Sequence, residues 1–459
     1  MFKRNKWAAL LLLLCIGFVS ACGSQGATNT NTGNNAGGGA VNGASNSAAG
    51  GSNQPYSGKE INVLLEGHST SNAIQEMLPA FEEETGIKVN LEIVPYSDLT
   101  SKALMNFSSR SGRYDIVMDD IVHGIGYADA GFVEPLDAFT TNAALNRNYD
   151  SSDFVPQYLN AMKYGDKLYG LPVYGESTFL MYRKDLFEEY GIQVPTTLDE
   201  MMAAAKTVHE KSGGEIAGIT LRGEQGIQNV YVWSTFLWGF GGQWLNEEGK
   251  SDLATPEAVK ALQYYSDILN KYGPTGVANF GWQENRLLFQ QGKAAMTIDA
   301  TVNGAYNEDP KESSVVGKVG YAPVPTQTDN PKGGASSLAV HGMYLAKDSQ
   351  NKEAAWLFMS WATAKEQQIK SISIDPNSGV SSLSAMKDEA FISQYGAFSE
   401  SMLAAIENGN TQYLPQIPQA NEIINNTGVA ISKALLGNTT PENALKEAND
   451  LNNRVLTAK

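Results

Sequence analysis

The feature that most constrains the fold is a switch of apolar period, repeated along residues 60–118. Ile61, Val63 and Leu65 alternate with period two up to Gly67, and Ile74, Met77, Leu78 and Phe81 then recur at helical spacing behind Ser69, Thr70 and Ser71, which offer N-caps. Gly86 stops that helix. Ile87, Val89, Leu91 and Ile93 alternate up to Pro95, a second helical stretch covers about Leu99 to Phe107, and Tyr114–Met118 is a short apolar run. The order is βαβαβ. Right-handed crossovers make such strands parallel, and ligands then bind outside their carboxyl ends. That rule singles out Glu66 to Thr70 and Asp119 with Asp120 as the rim of a site.

A chain of 459 residues predicts two or three domains, and a further α/β stretch begins at Leu168. Leu171–Tyr174 and Thr178–Tyr182 read as strand, Leu198–Glu210 as helix and Gly218–Leu221 as strand. Helical patterns recur at Thr255–Leu269, Glu353–Thr363, Asn421–Leu436 and Pro441–Leu456, and there is no internal repeat. These segments make a second lobe.

The amino terminus speaks of location. Lys3, Arg4 and Lys6 precede an apolar run from Ala8 to Val19, too short for the ~20 residues of a spanning helix, so it reads as a secretion signal covering residues 1–21. Val19-Ser20-Ala21-Cys22-Gly23 resembles a bacterial lipobox, in which Cys22 takes a diacylglycerol. Residues 23–57 carry no charge and are almost all Gly, Ser, Asn, Thr or Ala, a composition that cannot bury enough apolar area to order itself; 22–57 is expected to be a lipidated cysteine and a tether.

Composition excludes several function classes. Lys+Arg total 33 against Asp+Glu 49, a formal charge of −16, which repels nucleic acid. Cys15 and Cys22 are the only cysteines, so the body has neither a disulfide framework nor a cysteine metal cluster. The four histidines, His68, His123, His209 and His341, are not paired at metal-ligand spacing, and HExxH, GxSxG, CxxC and P-loop patterns are absent. No metal and no cofactor is expected. Paired carboxylates, Glu176 with Asp120 or Asp299, leave a glycoside hydrolase open, because such enzymes need only two acids about 5 to 9 Å apart. The same acids serve equally as fixed acceptors for sugar hydroxyls.

Eight strings then fall in one order: Glu83–Val89 (EETGIKV), Tyr114–Asp119 (YDIVMD), Gly131–Asp137 (GFVEPLD), Tyr169–Pro172 (YGLP), Tyr182–Phe187 (YRKDLF), Gly292–Met296 (GKAAM), Gly320–Pro325 (GYAPVP) and Asn351–Trp361 (NKEAAWLFMSW). In this order the chain resembles family 1 extracellular solute-binding proteins, the carbohydrate receptors of ABC importers. Met296–Pro310 (MTIDATVNGAYNEDP) is most similar to the branch associated with polyols. The resemblance implies an α/β, two-lobed periplasmic-binding-protein-like fold of type II. Each lobe is then a mostly parallel sheet flanked by helices, and the lobes are hinged so as to close on a solute. It further implies a first lobe of 58–166 plus 294–336, a second of 167–293 plus 337–459, and a non-catalytic monomer. That monomer would work on the outer face of the cytoplasmic membrane, held by its lipid alone, and would deliver its ligand to the importer's membrane subunits. A solute receptor of the same fold for a non-sugar ligand is the alternative inside the family.

A neutral polyhydroxy ligand needs aromatic faces and planar hydrogen-bonding groups. Glu176, six residues before the YRKD tyrosine, matches a ligand-contacting glutamate of maltose-type receptors, and Trp282 in GWQENRLLF matches an aromatic platform. Asp119 and Asp120 end a strand with side chains on opposite faces, so one of them faces the cleft. His68 and Ser69 occupy the first strand-to-helix turn. Tyr231 or Trp233 is favoured within the aromatic stretch after Asn229, and Asp299 and Asn303 follow the GKAAM strand. Tyr174, His341 and Ser337 come from returns between lobes. The chain departs from many relatives at Ser336, Ser337 and Ala339 and at Ala420–Ile424, where they carry aromatics, and the second loss disfavours a long oligosaccharide.

Overall fold

The computed structural model describes residues 54–327 and 334–457. The signal segment, Cys22 and nearly all of the tether lie outside the described residues. The tether's last residues are already structured: Gln54 Nε2 donates to the carbonyls of Glu83 and Glu84 at 3.0 and 2.8 Å, and Tyr56 packs against the first core. The folded body therefore starts a few residues before the expected boundary at 58.

Strands β1 (Glu60–Glu66), β2 (Lys88–Val94) and β3 (Ile116–Asp120) alternate with helices α1 (Ser69–Thr85) and α2 (Tyr96–Ser109) and pair in parallel, β1 lying between the other two. Val63, Leu64 and Leu65 are all buried, because helices cover both faces of a parallel sheet and leave it no wet side. Gly86, at φ 70°, accepts the left-handed conformation that ends α1. His68, not a serine or threonine, is the N-cap: its Nδ1 accepts from Thr70 N at 3.2 Å.

After a two-residue ribbon, β4 (Lys163–Tyr164) with β5 (Lys167–Leu168), the chain enters β6 (Gly170–Glu176) and, one residue later, β7 (Thr178–Arg183). These two belong to different sheets. The remaining strands are β8 (Met296–Ala300), β9 (Val319–Ala322) and β10 (Ala339–Leu345). The first sheet runs β2-β1-β3-β10-β6 and the second β8-β7-β9. One strand in each runs against the rest: β10 is antiparallel to β3 and β6, and β7 is antiparallel to β8 and β9. Both are strands that have just arrived from the other sheet. The expected strand at Gly218–Leu221 is reduced to parallel bridges, Ala217 with Ala294 and Thr220 with Thr297.

This pairing departs from the expected division of the chain. Residues 294–336 were assigned to the first lobe, yet β8 and β9 sit in the second sheet, while β6 and β10, placed in the second lobe, complete the first sheet. The crossover at Ser177 lies inside what reads as one apolar stretch from Leu171 to Tyr182. Period cannot reveal which edge a strand will join. Two apolar cores follow the two sheets. One is built on Val63, Met118, Met343 and Trp356, the other on Leu180, Ile298, Phe236 and Ile431.

The crossings meet in one buried knot. Ser177 Oγ donates to the carbonyls of Ser337 and Ala405 at 2.6 and 3.0 Å, Ser337 N donates to Thr178 Oγ1 at 2.9 Å, and Asn410 N donates to Ser336 O at 2.9 Å. Buried backbone groups at a crossover have no ladder partner, and these short polar side chains supply one.

Candidate binding cavity between the two sheets

A cavity of about 260 Å³ lies where the carboxyl ends of the first sheet face the second lobe. Strand register assembles its first wall. His341 on β10 stands opposite Asp120 on β3 and opposite Tyr174 on β6, and Ala339 stands opposite Glu176. Asp120, His341 and Tyr174 therefore lie side by side across three strands. Tyr174 is the middle ring of a stack, 4.5 Å from His341 at an interplanar angle of 10° and 4.4 Å from His68 at 11°.

Glu66, the last residue of β1, binds this stack electrostatically. Its Oε2 accepts from Tyr174 OH at 3.0 Å and lies 2.9 Å from His341 Nδ1, a contact without the alignment of a hydrogen bond. Burial disfavours charge on His341, but the carboxylates of Glu66, Asp120 and Glu176 together outweigh it and push the imidazole up to about 10. Burial pushes His68 down to about 4, against the pull of Glu66. Two rings of one stack thus hold opposite protonation states, imidazolium and neutral imidazole, because only one touches a carboxylate. Glu176, 8% exposed, is raised by burial to about 7.

The second wall comes from Arg222, Gln228, Tyr231 and Trp282. Arg222 Nε lies 3.0 and 3.1 Å from the two oxygens of Asp299, with Nη2 also on Oδ1, and its guanidinium sits 4.7 Å over the Tyr231 ring. Asp299 is completed by Asn285 Nδ2 at 2.6 Å and Ala300 N at 2.7 Å. Trp282 Nε1 donates to Asn303 Oδ1 at 2.7 Å, which leaves the ring face as what the indole offers the cavity.

Of the residues expected from sequence, His68, Asp120, Tyr174, Glu176, Tyr231, Trp282 and His341 line this cavity. Five do not. Asp119, the neighbour of Asp120 on the opposite face, accepts from Tyr127 OH at 2.5 Å and is fully covered. Ser69 turns to Tyr306 OH at 3.2 Å. Trp233 packs edge-on against Trp244 in the second core. Asp299 and Asn303 stand one layer back, holding Arg222 and Trp282. Ser337 belongs to the crossing knot and bonds Tyr231 OH at 2.8 Å. Sequence reasoning missed Tyr96, Arg222, Glu224, Gln228, Gln283 and Glu284, and took Glu66 no further than the rim. Tyr96 follows the end of β2 and Arg222 the apolar run ending at Leu221, so the strand-end rule would have found both.

Comparison with known proteins fits this geometry. The profile of the family described as bacterial extracellular solute-binding protein matches residues 67–369. A solute-binding protein of an ABC transporter from Agrobacterium vitis, solved with bound D-mannitol, superposes with a TM-score of 0.78 at 30% identity, covering 86% of this chain and 98% of that one. One from Agrobacterium radiobacter, in complex with ribitol, gives a TM-score of 0.80 at 28% identity over 87% and 99% of the two chains. The mannitol-binding protein of Pseudomonas aeruginosa is 28% identical over 296 residues, 64% of this chain and 66% of its own length. The relatives are binding proteins. The chain belongs to the bacterial extracellular solute-binding protein family and has its type II, two-lobed fold.

Proposed function

We propose that this protein is a receptor for one small polyhydroxy solute, an alditol or a monosaccharide, captured between its lobes and passed to the membrane subunits of an ABC importer. The observation that carries the reading is the single cavity in which the His68–Tyr174–His341 stack and Glu66, Asp120 and Glu176 face Arg222 and Trp282. Rings offer flat faces to C–H groups and the acids accept from hydroxyls, each charged hydrogen bond contributing ~1.5 to 3 kcal/mol. A volume of about 260 Å³ sits below the usual range of ligand pockets, which suits a single sugar unit. A ligand that touches both walls stabilises the closed form by its differential affinity, and the permease distinguishes loaded from empty receptor.

The receptor works without catalysis, as a monomer held outside the cell by a diacylglycerol on Cys22, with no cofactor, metal or nucleic acid. Against the hydrolase reading, Asp299 is committed to Arg222, and Asp120 accepts from Val122 N at 3.1 Å as a helix cap with its other oxygen 4.0 Å from His341, so neither partner of Glu176 is free as an acid or base. Calorimetric titration of the full chain with pentitols, hexitols and monosaccharides tests the proposal. Stoichiometric binding without product is expected; turnover of a glycoside, or no binding across the panel, would overturn it.

A further inference from the structure

We propose that the cavity selects a polyol bearing one ammonium group, an aminoalditol or amino sugar, over the neutral polyol, and rejects sugar acids. The inference rests on the receptor reading and narrows its solute.

The argument is a pairing of charges. Two cations line the cavity, and both are spent: Arg222 on Asp299 and His341 on Glu66, with Asp120 Oδ2 4.0 Å from its other nitrogen. Three lining carboxylates remain. Glu176 is buried, and among the described residues no hydrogen bond or ion pair is made to its carboxylate; His341 and Arg222, each paired with another acid, act on it only from a distance. Glu284 accepts only from Gly281 N at 3.1 Å, at the start of its own helix. Glu224 has no ion pair among the described residues, and its carboxylate converges on that of Glu284: a methyl placed on Gly281 would lie 2.7 Å from Glu224 Oε2 and 3.2 Å from Glu284 Oε2. Glu224 and Glu284 are exposed at the cavity mouth; Glu176 is buried, and a buried carboxylate that no cation touches is unfavourable even when hydrogen-bonded. Hydroxyl donors of a neutral polyol satisfy its lone pairs and leave its charge; an ammonium satisfies both. A sugar acid adds a like charge and is excluded.

A second polar group of the wall demands oxygen. His68 Nδ1 accepts from Thr70 N, so in the neutral ring the proton resides on Nε2. That Nε2 is buried and without a partner, a donor in want of an acceptor. An ammonium cannot serve it, but a hydroxyl oxygen can. Glu176 and His68 thus ask for two different groups on one molecule, which excludes a simple polyamine as well as a sugar acid.

The test is titration calorimetry of the full chain at pH 7.5 with three six-carbon probes: a hexitol, its 1-amino-1-deoxy analogue and the corresponding aldonate. The amino compound should bind at least tenfold more tightly than the hexitol, and the aldonate should show no heat of binding. In Glu176→Gln the ratio of the two dissociation constants should shrink several-fold, and Glu224→Gln, at the cavity mouth, gives the same reading if the first variant does not fold. Equal affinities, tighter binding of the hexitol, or a ratio unchanged in both variants would overturn the inference while leaving a polyol receptor standing. Failure of all three probes and of the wider sugar panel would remove the receptor reading itself.

Discussion

Ser69 and Tyr306 join the helix that follows β1 of the first sheet to the helix that follows β8 of the second: Ser69 Oγ, at the start of α1, lies 3.2 Å from Tyr306 OH. Both residues are buried, and the guanidinium of Arg286 sits 3.9 Å over the Tyr306 ring, so the hydroxyl is held in place by its own lobe.

Tyr306→Phe removes this cross-lobe bond and keeps the ring. A net loss of about 0.5–1.5 kcal/mol from the closed form is expected, read as a several-fold weaker Kd for the bound polyol. Ser69→Ala should cost a similar amount, and the double variant no more than either single one, because both changes delete the same bond.

Arg222→Ala leaves Asp299 charged, fully buried and short of its counter-ion. Destabilisation of about 3–5 kcal/mol is expected in chemical denaturation. Replacing both partners, Arg222→Met with Asp299→Leu, should recover most of that stability and abolish solute binding.

Stability should fall as pH rises. His341 holds its proton in the fold up to about 10 against an ordinary value of 6.5, so its contribution is complete below about pH 6.5 and is lost as pH climbs toward 10. Glu176, raised by burial from 4.5 to about 7, acts in the same direction over that lower window. Glu66 is lowered, its burial outweighed chiefly by His341, and loses its contribution as pH falls below its ordinary 4.5. His68, lowered by burial from 6.5 to about 4, works the other way and loses its contribution as pH falls below 6.5, so it offsets Glu176 there; the ligand-free melting temperature should therefore be nearly flat between about pH 4.5 and 6.5 and decline above. In His341→Gln the decline above pH 6.5 should flatten; an unchanged slope would show that His341 does not carry the proton.

Gly175 stands between Tyr174 and Glu176, and a methyl there would fall inside the Tyr158 ring, which is wholly buried. Gly175→Ala should cost about 1–3 kcal/mol by overpacking and should weaken binding more than its loss of stability explains, because β6 displaces both cavity residues together.

How much of this was legible beforehand depends on the range of the cause. The strand ends at Glu66 and Asp120, the two helices and the strand between them and the placing of Asp119 and Asp120 on opposite faces were readable from residues within a turn of one another, since apolar period decides the face locally. Trp282 and Glu176 were found through family resemblance, and both line the cavity. The division of the chain was not readable, because the switch at Ser177 leaves no mark in an apolar run that serves two sheets.

The chain's own letters determined the βαβαβ start, the parallel sheet and therefore the edge at which a solute can sit. Tertiary structure alone decided which charges there are free. Asp299 is taken out of the cavity by Arg222, 77 residues away, and His341 is made cationic by Glu66, which neighbours it only through the pairing of β1, β3 and β10. Periodicity acts over a few residues, whereas Coulomb pairing and burial act through space between strands whose order no local pattern encodes.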